Sequence, residues 1–331
     1  MHALVLTDKN KPILLQDREA PVAGSGEALV KIYAAALNHR DVWIQRGLYA
    51  GLKFPIIPGS DGAGVVVKAA GSGDWVGKEV IINPALHWGD HPTHQDQQGF
   101  QILGLPEDGT FADYVKVPVT SLVEKPEHLS FEEAAAIPLA GVTAYRALFT
   151  RAQLRPKEKV LITGIGGGVA LFALRFAVAA GARVFVTSSD EEKIAKAVNL
   201  GARAGVNYKK GNWVESLQTQ VNGFDVIVDG AGGDGMGALM NLASPGGRLV
   251  FYGSTRGNPS GLEVRRIFWK QLNILGSTMG SPEDFAAMVA FVNKHGLRPV
   301  VDKIFHLAEG EVALRRMENA QQFGKIVLRV G

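Results

Sequence analysis

Five side chains that can bind a metal ion lie within ten residues of one another, in the stretch HWGDHPTHQD at 87–96. Its three imidazoles and two carboxylates are ligand types that zinc and iron accept. However, Gly89 and Pro92 favour a loop, in which polar side chains are usually solvated. We predict a solvated loop here, and a His/Asp metal site is the alternative.

A second chemical pattern lies in the segment 159–189, which reads KVLITGIGGGVALFALRFAVAAGARVFVTSS. Its order predicts a strand, a glycine turn, a helix and a second strand. Glycines let the backbone approach a pyrophosphate, and a helix N-terminus offers N–H groups and a positive dipole to it. Because the cluster has this βαβ context, we predict dinucleotide binding, with a purely structural turn as the alternative.

The elements that must position these residues follow two patterns along the 331-residue chain. Short alternating apolar runs broken by Gly and Pro indicate a mostly β domain at 1–125. Beyond residue 130, apolar strands alternate with helices, which indicates an α/β domain with a doubly wound parallel sheet. We predict that this domain spans 126–280 and that 281–331 returns to the first domain.

Composition excludes several classes of function. The net charge is +3 without a concentrated basic tract, which argues against nucleic-acid or membrane partners. The N-terminus lacks the apolar core of a secretory signal, and no apolar run reaches the roughly 18 residues of a membrane helix. The absence of cysteine removes disulfides, thiolate nucleophiles and cysteine-based zinc sites. We therefore expect a cytoplasmic protein that acts on small molecules.

Several blocks of sequence, in order, resemble one family along almost the whole chain. They are LNHRDVWIQRGLY at 37–49, PGSDGAGVV at 58–66, EEAAAIPLAGVTAYRAL at 132–148, GIGGGVALFALRFA at 164–177, GSTMGSPEDF at 276–285 and GKIVL at 324–328. The chain is similar to the medium-chain dehydrogenase/reductase superfamily, most closely to its zinc-independent quinone oxidoreductase, or zeta-crystallin-like, branch. The resemblance implies a GroES-like catalytic domain and a Rossmann domain, with cofactor and substrate between them. One departure is Ala170, where the family motif ends in glycine.

The resemblance also bears on the metal. Zinc-dependent relatives bind catalytic zinc at the positions of Asn38, Ser60 and usually Ala140, through cysteine and histidine side chains. Those relatives also carry a four-cysteine lobe for structural zinc, and residues 87–96 occupy its place here. We therefore predict that the protein holds no metal.

The end of the second Rossmann strand indicates which cofactor is bound. NAD-preferring folds place an acidic residue there, whose charge repels a 2′-phosphate. This chain has Ser188 and Ser189 instead, followed by Lys193 and Tyr208, which is similar to NADPH enzymes of the family. Lys193 could instead be an ordinary solvated helix residue. The predicted NADPH contacts are Thr143, Gly166, Gly167, Gly168, Val169, Ser188, Ser189, Lys193, Tyr208, Gly230 and Gly253.

For catalysis, the protein must stabilise the charge that develops on the acceptor oxygen during hydride transfer. The best candidates are the Asn38 amide and the Tyr49 hydroxyl, and Asp41 is expected to hold their loop. A helix cap at Asn38 and simple packing of Tyr49 are the alternatives.

Three functions compete at this stage. The favoured one is NADPH-dependent reduction of quinones, enones or related activated carbonyls. The others are an alcohol or aldehyde dehydrogenase of the zinc type and a noncatalytic NADPH-binding protein. An apolar strand near Asn273–Met279, at the predicted sheet edge, also leads us to expect a homodimer.

Overall fold

In the computed structural model, which describes residues 1–71 and 73–331, the chain forms two compact units. The first comprises Met1–Ala140 and Ser281–Gly331, and the second comprises Gly141–Gly280. The first is mostly β and the second is built on a parallel sheet, which confirms the predicted α/β fold. The first unit extends to 140 instead of the predicted 125. The stretch after 125 packs on the first unit, because the Phe131 ring stacks on Tyr33 of the first unit at a centroid distance of 4.8 Å.

The strands and helices are numbered here in chain order. The strands are β1 (His2–Val5), β2 (Leu14–Asp17), β3 (Glu27–Ala36), β4 (Asp61–Ala69), β5 (Glu79–Ile82), β6 (Ala85–Leu86), β7 (Gln101–Ile102), β8 (Tyr114–Pro118), β9 (Leu122–Glu124), β10 (Lys159–Ile162), β11 (Arg183–Ser188), β12 (Ala204–Asn207), β13 (Phe224–Asp229), β14 (Ala243–Phe251), β15 (Asn273–Gly276), β16 (Val301–His306) and β17 (Lys325–Arg329). The α-helices are α1 (His39–Gln45), α2 (Phe131–Ala135), α3 (Pro138–Tyr145), α4 (Gly168–Ala179), α5 (Glu191–Asn199), α6 (Trp213–Gln218), α7 (Met236–Leu242), α8 (Val264–Trp269), α9 (Pro282–His295) and α10 (Gly310–Glu318).

The sheet of the first unit runs in the order β16-β17-β3-β4-β5-β9, and β8 also pairs with β3. The two strands after residue 281 therefore return to this sheet. Two antiparallel pairings bring three strands together at the end of β3. Ala36 lies opposite Asp61 in β4 and opposite Val327 in β17. The end of β3 is thus flanked by the first residue of β4 and the third residue of β17.

The six strands of the second unit are all parallel, in the order β12-β11-β10-β13-β14-β15. Most residues of the four central strands are buried, as continuous apolar strands covered on both faces should be. Parallel strands bring all their carboxyl ends to one edge of the sheet. Ligands of such open α/β sheets bind at that edge, near the point where the strand order reverses between β10 and β13.

The helices of both units are short. The longest, α9, has 14 residues; it begins with a capping box of Ser281 and Asp284 and ends at Gly296, whose φ is +57°. Within residues 1–71 and 73–331, no helix has the length and apolar composition needed to cross a membrane.

Candidate functional site

Three polar side chains from separate elements meet in the core of the first unit. The Lys325 ammonium donates to Leu37 O at 2.7 Å, to Asn38 Oδ1 at 2.7 Å and to Asp61 Oδ2 at 2.8 Å. The Asn38 amide nitrogen also donates to Asp61 Oδ2 at 2.8 Å, and Leu139 N–H donates to Asp61 Oδ1 at 2.8 Å. The exposed fractions of Asn38, Asp61 and Lys325 are 7%, 0% and 3%. Buried charges therefore have partners here, as burial requires.

Asn38 is also the residue before α1, the position of a helix cap. Its side chain serves the cluster with Lys325, while its own backbone N–H donates to Asp41 Oδ2 at 2.7 Å. Asp41 therefore holds the start of α1. The side-chain amide of Asn38 thus lies in the buried polar cluster, at the N-terminus of α1.

Asp41 is itself buried, with 2% of its surface exposed. Burial raises the pKa of its carboxyl from 3.8 to about 6, because desolvation outweighs the charge of Arg40 and the hydrogen bond from Asn38, which lower it. Its Oδ1 has no partner among the described residues. Asp41 is thus a carboxyl whose charge is disfavoured in the folded protein.

Arg40 forms a second cationic group beside the cluster. Its Nη1 donates to Ser60 Oγ at 2.5 Å and to Leu103 O at 2.8 Å, while Ser60 Oγ donates to Leu103 O at 2.8 Å. The guanidinium also lies over the ring of Tyr49, 4.9 Å from its centroid. Tyr49 is half-buried, and its ring packs against the apolar cluster around Ile44. The Tyr49 ring therefore packs against this apolar cluster. The Arg40 guanidinium contacts both the Tyr49 ring and the Ser60 hydroxyl.

These residues do not fit a catalytic zinc ion. Asn38, Ser60 and Ala140 supply one amide, one hydroxyl and no side-chain ligand, whereas catalytic zinc takes histidine, cysteine or carboxylate. The amide oxygen is engaged by the Lys325 ammonium, and the hydroxyl accepts from Arg40. Across the part of the chain that the structure describes, no three His, Cys, Asp or Glu residues are grouped so that they could hold a metal ion.

The histidine-rich stretch 87–96 lies in a loop whose imidazoles are exposed. The rings of His91 and His94 stack at a centroid distance of 3.9 Å. Trp88 is buried, and its carbonyl oxygen accepts the backbone N–H of Asp96 at 2.6 Å. The loop is held by this backbone bond and by the buried indole.

In the second unit, the glycine turn follows β10 and leads into α4. Gly164 and Gly166 have φ values of +61° and +129°, which strain a side-chain-bearing residue. A Cβ on Gly167, the cap of α4, would meet no described heavy atom within 4 Å outside the adjoining residues. The turn therefore leaves room for a pyrophosphate at the N-terminus of a twelve-residue helix, which begins at Gly168.

Two further predicted glycines allow the ends of neighbouring strands to approach each other. A Cβ on Gly230, after β13, would lie 2.6 Å from the ring of Tyr252. A Cβ on Gly253, after β14, would lie 2.9 Å from Gly230 O. Both glycines lie at the carboxyl edge of the sheet, as does the glycine turn.

The predicted 2′-phosphate residues lie at the ends of β11 and β12. Ser188 is buried, and its hydroxyl accepts the N–H of Asp190, while its carbonyl accepts Tyr208 N–H at 3.0 Å. Ser189 lies next to it, half-buried. Lys193, in the first turn of α5, lies against the glycine turn, since a Cβ on Gly166 would be 3.0 Å from its Cδ. The second unit thus places Lys193 against the glycine turn and Tyr208 next to Ser188.

Val169 lies in the first turn of α4, after the glycine turn. Thr143 is buried in the same unit, with its hydroxyl 4.0 Å from Met279 Sδ. Met279 follows the edge strand β15 and adopts a φ of +47°.

Four residues of these sites were not predicted from the sequence. Asp61, Lys325 and Arg40 lie in motifs that resemble the family, but nothing in the motifs shows that their charges are buried near Asn38. Arg256, in the loop after β14, places its guanidinium 5.1 Å from the ring centroid of Tyr208. No signal in the sequence joins residues 48 positions apart, because this contact depends on the strand order.

Comparisons with known proteins support the fold of both units. Residues 24–127 match the family model of the alcohol dehydrogenase GroES-like domain, and residues 168–294 match that of zinc-binding dehydrogenases. The zinc-type alcohol dehydrogenase-like protein YogA of Leptosphaeria maculans is 35% identical, over 96% of this chain and 95% of its own. The acryloyl-coenzyme A reductase of Metallosphaera sedula is 30% identical, over 99% of each chain. The crystal structure of an NAD-dependent alcohol dehydrogenase, 36% identical, has a TM-score of 0.94 over the full length of both chains.

The raised pKa of Asp41 predicts how stability depends on pH. The folded state holds the carboxyl proton more tightly than the unfolded chain, so stability is lost as pH rises from about 4 through about 6. In Asp41→Asn this loss should disappear. We expect the free energy of unfolding of the wild type, relative to the variant, to fall by about 2 kcal/mol between pH 4 and pH 7. Urea unfolding at a series of pH values measures it.

The exposed Asp8 provides the matched control, because Asp8→Asn should keep the pH dependence of the wild type. Parallel pH curves for the wild type and Asp41→Asn would contradict the assignment of a raised pKa to Asp41.

Proposed function

The chain belongs to the medium-chain dehydrogenase/reductase superfamily, and we propose that it reduces conjugated carbonyl acceptors with NADPH and without a metal ion. The membership makes it an oxidoreductase that depends on a nicotinamide cofactor. The acceptors we propose are quinones, enones and related activated carbonyls. The observation that carries the proposal is the donor set of the first unit, where an amide and a hydroxyl, bonded by Lys325 and Arg40, lie at two of the positions that hold zinc in zinc-dependent relatives.

Alcohol oxidation needs a group that lowers the pKa of the hydroxyl, which zinc supplies in metal-dependent enzymes. At this site Asn38 offers an amide, Ser60 has its hydroxyl engaged by Arg40 and Leu103 O, and Lys325 already donates three hydrogen bonds. Reduction of a conjugated acceptor makes a smaller demand, because conjugation delocalises the negative charge that arrives with the hydride. Hydrogen-bond donors are then sufficient.

The chemistry divides between cofactor and protein. When bound, NADPH supplies the hydride. An amide nitrogen carries two protons, and Asn38 donates one of them to Asp61. Its second proton remains for the acceptor oxygen, and the Tyr49 hydroxyl is proposed as the other donor. Asp41 holds the loop that carries Asn38 by accepting its N–H.

The relatives support two different functions by name. The acryloyl-coenzyme A reductase is named for a conjugated thioester, which is the class of acceptor proposed here. YogA is named as zinc-type alcohol dehydrogenase-like, which favours alcohol or aldehyde oxidation as the second candidate. The donor set around Asn38 supports the first, and with it the assignment to the zinc-independent quinone oxidoreductase branch.

Steady-state kinetics with a quinone and NADPH, compared with ethanol and NADP⁺, test this function directly. The wild type should reduce the quinone and oxidise ethanol poorly. In Asn38→Ala and Tyr49→Phe, quinone turnover should fall by up to about 10²–10³-fold, because each change removes one donor to the developing charge.

Tyr33→Phe is the matched control, because this tyrosine stacks on Phe131 away from the site and its loss should leave turnover unchanged. All assays are run in chelator, with zinc measured by elemental analysis. Stoichiometric zinc that is lost together with activity, or rapid ethanol oxidation by metal-free enzyme, would establish the second candidate instead.

Charges at the ends of β11 and β12 support NADPH over NADH. The acidic residues after Ser188 have partners: Asp190 caps α5, Glu191 pairs with Lys210 at 2.7 Å, and Glu192 pairs with Lys196 at 2.6 Å. Repulsion of a 2′-phosphate is therefore reduced. Lys193 and Arg256 are the cations proposed to hold that phosphate.

Lys193→Ala and Arg256→Ala should each weaken NADPH binding and leave NADH binding nearly unchanged. Only NADPH brings the phosphate that a charge-assisted contact would hold, and we expect a loss of about 5- to 50-fold for each. Titration of cofactor fluorescence measures both affinities. Arg203→Ala is the control, because it removes an exposed cation from the opposite end of β12. Equal affinity of the wild type for NADH and NADPH would refute the assignment.

We also propose that the protein is a homodimer through β15. This strand pairs with β14 on one side only and ends the sheet, so its other edge presents unpaired backbone groups. Large apolar side chains lie exposed nearby, with exposed fractions of 58% for Phe268 and 78% for Trp269. A second copy of the chain that adds its own β15 would cover them.

Sedimentation at micromolar concentration should show a dimer, and Ile274→Asp should convert it to a monomer, because a charge on the edge strand opposes pairing. Leu14→Asp places the same charge on an exposed leucine of the first unit and should leave the dimer intact. A wild type that sediments only as a monomer would exclude this interface.

A further inference from the structure

The cluster of Asn38, Asp61 and Lys325 has a property that no single hydrogen bond shows. An ammonium can only donate hydrogen bonds, an ionised carboxylate can only accept them, and a side-chain amide does both. Lys325 bonds the oxygen of the Asn38 amide and Asp61 accepts from its nitrogen, while Lys325 and Asp61 also bond each other. The amide therefore has one favourable orientation, with its oxygen toward Lys325 and its nitrogen toward Asp61.

The opposite orientation would place the amide NH₂ against the ammonium and the amide oxygen against the carboxylate. Both charge-assisted bonds would be replaced by repulsive contacts. Because Asn38 is 7% exposed, water cannot readily compensate for them. The charges of Lys325 and Asp61, which bond the oxygen and the nitrogen of the Asn38 amide, therefore disfavour its flip.

Lys325 has no proton to spare for an acceptor. Its three protons are matched by Leu37 O, Asn38 Oδ1 and Asp61 Oδ2, all within 2.8 Å, and its side chain is 3% exposed. Direct donation from Lys325 to an acceptor would break one of these bonds. Its effect on the reaction must therefore act through Asn38.

We propose that Lys325 is a positioning residue that fixes the Asn38 amide with its remaining N–H available to the acceptor oxygen. The inference rests on the proposed function, in which Asn38 is that donor. The buried Lys325 ammonium orients the Asn38 amide and does not itself contact the acceptor.

The test is a double-mutant cycle between Lys325→Met and Asn38→Ala, with a quinone as acceptor and NADPH as cofactor. Lys325→Met should lower kcat by about 10- to 100-fold, because the Asn38 amide loses its fixed orientation. The affinity for NADPH should stay unchanged. In the Asn38→Ala background the same change should have little further effect, since residues that act as a unit are not additive. A full additional loss of kcat in that background would overturn the proposal.

Lys325→Met leaves Asp61 buried without its cation, so a second variant separates folding from catalysis. Lys325→Met combined with Asp61→Asn removes both charges and should recover much of the lost resistance to urea. Its kcat should stay low, because the new amide at position 61 can itself turn and no longer fixes the amide of Asn38. Recovery of kcat together with stability would show that Lys325 is only structural.

Lys125→Met is the matched control for the loss of a buried lysine. The Lys125 side chain is 6% exposed and bonds Leu129 O and Glu79, with no contact to Asn38. This variant should lose stability and keep the kcat of the wild type. Unchanged turnover in Asn38→Ala would instead refute the donor of the proposed function, an outcome distinct from additivity in the cycle.

Discussion

The buried ion pair of Lys325 and Asp61 is the interaction on which the rest of the first unit's site depends. Both charges are almost completely removed from water. Removing one partner of such a pair typically costs about 3–5 kcal/mol, because the other charge stays buried. The two residues begin β17 and β4, which flank β3 on opposite sides. The pair therefore fixes where β3 ends and where β4 and β17 begin. Asn38 lies just after the end of β3.

This constraint also decides which chemistry suits the site. An open metal site exchanges ligands, so a substrate oxygen can bind the cation itself. The cations here, Lys325 and Arg40, are held by short hydrogen bonds to fixed partners and are almost completely buried. What the protein can offer to an acceptor is therefore a hydrogen bond from an oriented group. Such a bond suits an acceptor that spreads its own charge, which is the physical basis of the proposed reduction of conjugated carbonyls.

The second unit obeys a different constraint, the close approach of backbone at the carboxyl ends of parallel strands. Gly230 and Gly253 lie where a side chain would meet the neighbouring strand end, and the glycine turn at 164–167 leaves space before α4. Charged residues are arranged around this edge with their own partners, as Glu191 is with Lys210. Local backbone geometry makes the room at this edge, and the charge preference that we propose for the cofactor depends on side chains from distant loops.

The sequence by itself determined the alternation of strands and helices, the glycine turn, the return of the last strands to the first unit and the superfamily. The strands, helices and glycine turn are local features, because each depends on periodicity, on glycine or on residues within about thirty positions of one another. The superfamily and the return of the last strands followed from blocks of sequence spread along the chain. The place of Asp41 at the start of α1 also followed from its motif. The boundary near 125 did not, because it depends on the packing of Phe131 on Tyr33.

The tertiary structure alone decided which polar and aromatic groups the charged side chains contact. Lys325 and Asn38 are 287 positions apart, and Arg256 reaches Tyr208 from another strand end. Neither pairing leaves a trace in spacing, because strand order sets it. The pKa of Asp41 likewise depends on burial, which a motif does not reveal. The sequence indicated the candidate donors and the glycine turn, and the fold determined which cations lie beside Asn38 and Tyr208.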